Sequence, residues 1–293
     1  MFKHINNMKI KSFLIDTLTT RKKIIVSVVI LTVIYIVVLL LEQLEDIQIS
    51  GYSFRNIRPV PIIILTVLGY IMMFWISAFR IKGERFITIL GFPSIGIFVF
   101  SLFSKLVISS IFGQLGDLLF IIITGVLFAF FIYILFITAN ILNASYLDNI
   151  PLGQAGRAAY YVFNLVIAYL LFTIIVSNEV FIGIQLLLIY LVTFYIVLSS
   201  LWTIKLSVTH RFLVASAISF LLVFVYIGLA IWPIDVSLIT FILSAILYMS
   251  LGVALEVREV INRMVWVEYG VLFLLIFLIL IIVSEWGING TLI

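Results

Sequence analysis

The stretch that decides the fold is RKKIIVSVVILTVIYIVVLLLEQLED, residues 21–46. Arg21, Lys22 and Lys23 precede an unbroken apolar run from Ile24 to Leu41, and Glu42, Glu45 and Asp46 follow it. A helix of about 20 apolar residues crosses a hydrocarbon core of roughly 30 Å, and cytoplasmic flanks carry the excess of Lys and Arg. The run therefore predicts a span that starts inside and ends outside. Leu41-Glu42-Gln43-Leu44 offers no small-residue cleavage site, so the run reads as a retained signal anchor.

Outward from this stretch the same unit repeats. Apolar runs occur at Ile24–Leu41, Val60–Phe79, Phe86–Phe112, Leu118–Thr138, Ala159–Val176, Val180–Trp202, Phe212–Trp232, Val236–Leu255 and Met264–Ser284. Helices are required, because lipid offers the backbone no hydrogen-bond partner and the runs lack the alternation of a barrel strand. The predicted fold class is an all-α polytopic bundle of about nine spans. Residues 1–23 form a cytoplasmic basic segment, partly interfacial through Ile10, Phe13, Leu14 and Leu18. Residues 24–284 form a single transmembrane domain, and 285–293 a short external tail.

Link charges assign the sides. One set holds Lys3, Lys9, Lys11, Arg21, Lys22, Lys23, Arg80, Lys82, Arg85, Arg157, Lys205, Arg211, Arg258 and Arg263, nearly all of the 17 basic residues. The other set holds Glu42, Glu45, Asp46, Asp117, Glu179, Asp235 and Glu285, with Arg55 and Arg58 beside the first three. This predicts the N-terminus inside and the C-terminus outside. Tryptophan favours the headgroup level, and Trp75, Trp202, Trp232, Trp266 and Trp286 all fall at predicted span ends.

Composition excludes several classes. The chain of 293 residues is 65% hydrophobic and 10% charged, with a mean hydropathy of +1.37, whereas soluble domains carry about 25% charged residues. The net charge of +4 is explained by orientation, so no nucleic-acid partner is expected. The absence of Cys removes disulfides and thiolate metal sites. No cofactor or metal is expected, and the expected partners are the lipid bilayer, a lipid or apolar small molecule, and other membrane proteins. The expected location is a bacterial-type plasma membrane.

Ionisable groups in the membrane mark functional sites because burying them is costly. Most span centres here carry none, which argues against proton pumps and voltage sensors. Lys105, about 20 residues into the third run, is expected to reach the outer headgroups, as an external anion or lipid contact or as a snorkelling side chain. Pro93 within Gly91-Phe92-Pro93 is expected to kink that span. The densest polar stretch runs from Asn140 and Asn143 through Asp148 and Gln154 to Arg157, with Asn164 beyond. With Glu268 it forms the candidate cytoplasmic-face site. Gly153 and Gly156 suit either a phosphate approached by backbone N–H groups or a tight re-entry turn. His210 and Arg211 offer a second basic pair on that face. Val253–Tyr269, free of Gly and Pro, is expected to hold an interfacial helix, with Glu259 and Arg263 as an i, i+4 pair.

No His-Glu-x-x-His, Gly-x-Ser-x-Gly or Walker pattern is present. No catalytic residue is therefore assigned. The leading expectation is a non-catalytic, permease-like or scaffolding membrane component. The rival is a lipid-modifying enzyme that uses Asp148, Arg157 and Glu268 at the cytoplasmic interface.

Asn140-Ile141-Leu142-Asn143, Ile150-Pro151-Leu152 and Arg157-Ala158-Ala159, with Arg85-Phe86-Ile87-Thr88-Ile89-Leu90, resemble an uncharacterised family of multi-pass bacterial membrane proteins. The resemblance spans Phe86 to Phe172 and departs from the family at Gly153-Gln154-Ala155-Gly156. It implies an apolar helix after the Arg-Ala-Ala block and carries no activity.

Overall fold

The computed structural model describes residues 2–43, 48–49, 52–53, 59–77, 81, 85–104, 117–148, 153–178, 180–202, 206–256 and 263–283. These residues are almost wholly helical, and six helices are long and apolar enough to cross a membrane. Three further apolar helices are shorter: Val60–Ile76, Thr88–Phe103 and Val267–Ile282. The chain forms two compact units, Met1–Tyr160 and Tyr161–Ile293.

The first unit contains α1 (Phe2–Gln43), a minimal hairpin of β1 (Gln48–Ile49) and β2 (Tyr52–Ser53), α2 (Pro59–Ile76), α3 (Arg85–Phe103) and α4 (Asp117–Asp148). α1 runs unbroken through Arg21, so the basic segment before Ile24 is helical and continuous with the apolar run. α2 opens on Pro59 with Pro61 behind it, where a missing N–H costs nothing because the first turn has no intrahelical acceptor.

α3 is the interior helix of this unit, with no exposed residue from 88 to 104. Pro93 lies inside it without ending it, although it takes one backbone bond away from the carbonyl of Ile89. Ser94 Oγ donates to the Leu90 carbonyl at 2.9 Å and Ser101 Oγ to that of Ile97 at 2.8 Å, so these hydroxyls are satisfied within the helix. The helix stops at Phe103, and Lys105 with the expected turn at Val107–Phe112 lies outside the described residues.

Between helices surrounded by lipid, association rests on close packing and hydrogen bonds, because lipid tails are as apolar as the side chains. The fully buried Tyr35 shows both. Its ring stacks on Phe128 at 3.9 Å and meets the edge of Phe100 at 6.3 Å. Its hydroxyl donates to Ser104 Oγ at 2.7 Å, which ties α1 to α3. Gly125 lets α1 close on α4, since a Cβ there would stand 3.1 Å from Ile36. Midway along α1, Lys23 Nζ sits 5.3 Å from the centre of the Trp75 ring on α2.

The second unit is built from α5 (Gly153–Ser177, whose first two turns belong to the first unit), α6 (Ile182–Leu201), α7 (Val208–Ile231), α8 (Val236–Glu256) and α9 (Arg263–Val283). Phe172, Ile189, Ile196, Leu222, Leu243 and Leu247 lie at its core. α9 is the least embedded helix: of residues 267–282 only Ile276 and Leu280 are buried, with Tyr269 laid over Gly252 of α8. The expected interfacial helix falls largely on residues 257–262, which with Glu259 lie outside the described residues. Trp202 and Trp232 cap α6 and α7 at their C-terminal ends, the border positions their side chains favour.

Candidate functional site

The polar residues expected around a link are parts of two helices, Asn140, Asn143 and Asp148 of α4 and Gln154, Arg157 and Asn164 of α5. α4 continues ten residues past Thr138, so Asn140 and Asn143 are helical, and Asp148 is its last residue. Asn143 is buried and Asn140 half-buried. Their neighbours Ala139, Ile141, Leu142 and Ala144 are good helix formers, and an amide here ends the hydropathy run without ending the hydrogen-bond ladder. Gln154 and Arg157 lie exposed at the start of α5. Gly156 seats that start against α4, because a Cβ there would come within 2.8 Å of Ile141 Cγ2. Its glycine thus has a packing role, and Asn143, Gln154 and Arg157 share one corner of the first unit. Glu268 is exposed on α9, in the second unit.

His210 and Arg211 form a helix start. Ser207 precedes α7, and its Oγ accepts from His210 N at 3.4 Å while sharing a hydrogen with His210 Nδ1 at 2.6 Å. Arg211 Nε donates to the Leu206 carbonyl at 3.0 Å. Among the described residues no group of three His, Cys, Asp or Glu could hold a metal.

The polar groups that join helices lie in the second unit. Gln185, in the first turn of α6, is buried at 9% exposure. Its Nε2 donates to the Asn178 carbonyl at 2.8 Å and to the Ile175 carbonyl at 3.4 Å, taking up carbonyls that the end of α5 leaves without helical partners. Its Oε1 accepts from the Tyr226 hydroxyl of α7 at 2.6 Å. One amide thus binds three helices with both its ends satisfied. Near the other end of α6, Asn164 Nδ2 of α5 donates to Ser200 Oγ at 3.1 Å and approaches Ser199 Oγ at 3.5 Å. Tyr190 and Ser216 share a third bond, between α6 and α7, at 3.1 Å.

All the buried polar side chains described are uncharged hydroxyls or amides. These groups join the helices by hydrogen bonds between uncharged partners. Sequence reasoning overlooked Gln185 and Tyr226. The available signal was an amide inside the apolar run Val180–Trp202, where it must find a partner or pay for desolvation.

No known family model, curated protein or solved structure matches the chain.

Proposed function

We propose that this chain is a nine-span plasma-membrane protein of bacterial type, with its N-terminus inside and its C-terminus outside. In this reading it is non-catalytic, a permease-like component that handles an uncharged, lipid-like or amphipathic solute through its spans. The observation that carries the reading is the buried polar set, which among the described residues is entirely hydroxyl and amide. Such groups hold an uncharged molecule by hydrogen bonds without the cost of burying an ion. The corner formed by Asn143, Gln154 and Arg157 then lies on the cytoplasmic face.

Purification of the full chain in mild detergent, followed by mass spectrometry of the intact particle, tests the reading. A lipid or apolar small molecule retained in fixed ratio is expected; a bare monomer counts against it. Turnover of phospholipid by the purified protein would instead favour an enzyme that uses Asp148, Arg157 and Glu268. The orientation has its own test, since the chain lacks Cys. An impermeant maleimide should label Asp235→Cys from outside and Gly153→Cys only after lysis, and the reverse would overturn it.

A further inference from the structure

α1 and α2 lie side by side in the first unit and run in opposite directions. Two contacts set their register: Ser27 Oγ donates to Met72 Sδ at 3.6 Å, and one turn away Lys23 Nζ stands over the Trp75 ring at 5.3 Å. The outward face of α1 carries an ordered column beside this joint. At 100° per residue Lys22, Lys23, Val26, Ile30, Val33 and Val37 fall within about 100° of one another. The four aliphatic members are 38–55% exposed, Lys22 is exposed and Lys23 half-buried. On α2, Ile64, Val67 and Ile71 are 51–53% exposed and lead up to Trp75. The register places them alongside residues 27–35 of α1, so the two outward faces form one seam, apolar along its length and cationic at one end. Lys23 to Val33 covers about 15 Å, the depth of one leaflet.

The charge at that end has no local counterweight. Before Glu42 the one acid is Asp16, against Arg21, Lys22, Lys23 and three earlier lysines. Asp16 stands seven residues from Lys23, about 10 Å along the axis. The face of an aromatic ring attracts an ammonium without neutralising it, so Trp75 positions the charge of Lys23 and leaves it in force. A bias of basic residues to one side of a membrane accounts for the sign of these groups. It does not account for their placement, with Lys22 and Lys23 heading the lipid-facing column and Arg21 about 150° away from its centre.

We propose that the seam between α1 and α2 is a docking site for one anionic phospholipid. Its acyl chain lies against Ile30, Val33, Val67 and Ile71, and its headgroup phosphate lies between Lys22 and Lys23. Both parts of the seam are needed: the apolar column fits any lipid, and the paired ammonium groups select the charged one. The site goes beyond the permease-like reading and does not rest on it, since it needs only that α1 and α2 stand in lipid.

The test titrates the full chain in mild detergent with dioleoyl phosphatidylglycerol or dioleoyl phosphatidylcholine, which share acyl chains and differ in net charge. Bound lipid is counted by native mass spectrometry. Each lysine near an anionic headgroup changes binding about fivefold, so the first phosphatidylglycerol should bind at least about tenfold more tightly than phosphatidylcholine. Equal binding of the two overturns the site and leaves the permease-like reading standing. Lys22→Gln and Lys23→Gln should each weaken phosphatidylglycerol about fivefold, whereas Arg21→Gln, which removes the same charge beside the column, should change it by less than about twofold. Equal losses in all three variants assign the preference to diffuse surface charge and overturn the proposal. Lys22 lies outside the packed core, so its variant reads the headgroup and not the fold. Glycerol 3-phosphate at the concentration of the lipid should not compete; displacement by it means a phosphate site without a seam and also overturns the proposal.

Discussion

Tyr226→Phe removes one atom from the tie between α5, α6 and α7, and its effect can be worked out closely. The ring is 3% exposed, so its packing survives the change, while Gln185 Oε1 loses the donor held at 2.6 Å. A buried acceptor left bare costs about 1–3 kcal/mol in water-soluble proteins. Between membrane helices the measured worth of a polar contact averages about 0.6 and reaches about 1.7 kcal/mol, because the unfolded chain in lipid also finds partners. The shortness of this bond places Tyr226→Phe in the upper part of that range, at about 1–1.7 kcal/mol. Gln185→Leu goes further. The Asn178 carbonyl keeps a second donor in Val180 N at 2.7 Å, but Ile175 loses the side-chain donor and Tyr226 is left with a buried hydroxyl. A cost of about 2 kcal/mol is expected. Unfolding the full chain in mixed micelles by titration with sodium dodecyl sulfate, followed by tryptophan fluorescence, measures both. The double variant should cost less than the sum of the singles by about 1 kcal/mol, since each single change already breaks the shared bond. If Tyr226→Phe lies within about 0.3 kcal/mol of the parent and the two changes simply add, the tie contributes nothing and the reasoning fails.

Tyr35→Phe should keep the stack on Phe128 and lose the Ser104 bond, for about 0.6–1.7 kcal/mol. Tyr35→Ala should cost about 3–5 kcal/mol by opening a cavity, and the same titration would show an equal loss for both if packing were irrelevant. Gly252→Ala drives a methyl group against the Tyr269 hydroxyl, at about 1–3 kcal/mol of overpacking. It should loosen α9, seen as faster hydrogen exchange in α9 while α6 and α7 are unchanged. Lys23→Ala should cost about 0.5–1 kcal/mol through the lost contact with Trp75, and should leave Trp75→Phe with little further effect.

The apolar helices were legible because lipid imposes a simple demand, an apolar run, and the runs at Val60, Val180, Phe212 and Val236 each coincide with a helix, the last three long enough to cross a membrane. Helix ends were harder to read. Hydropathy reports what lipid accepts, whereas a helix continues wherever its ladder is unbroken, so α4 carries Asn140 and Asn143 and α1 carries the basic segment before Ile24. The close approach of Gly156 to Ile141, which seats the start of α5 on α4, was not legible along the chain. The Gln185 tie was least legible. Its partner Tyr226 is 41 residues away, and nothing along the chain states which face of α7 meets which face of α6.

The lengths of the helices in the first unit set a condition on the bilayer itself. The apolar part of α4, Leu119–Ala144, has 26 residues and so spans about 39 Å, whereas α2 over Val60–Ile76 reaches about 26 Å and α3 over Thr88–Phe103 about 24 Å. α3 is shielded by its neighbours, so lipid does not sense its shortness. α2 faces outward through Val60, Ile63, Ile64 and Val67, and α4 through Leu119, Ile122, Val126 and Phe130. Against a hydrocarbon core of roughly 30 Å, one flank is too short and the other too long. A helix as long as α4 fits such a core by tilting up to about 40°, and one as short as α2 fits only where the lipid is thin. Acyl-chain length is then a variable that acts on the packing of the first unit.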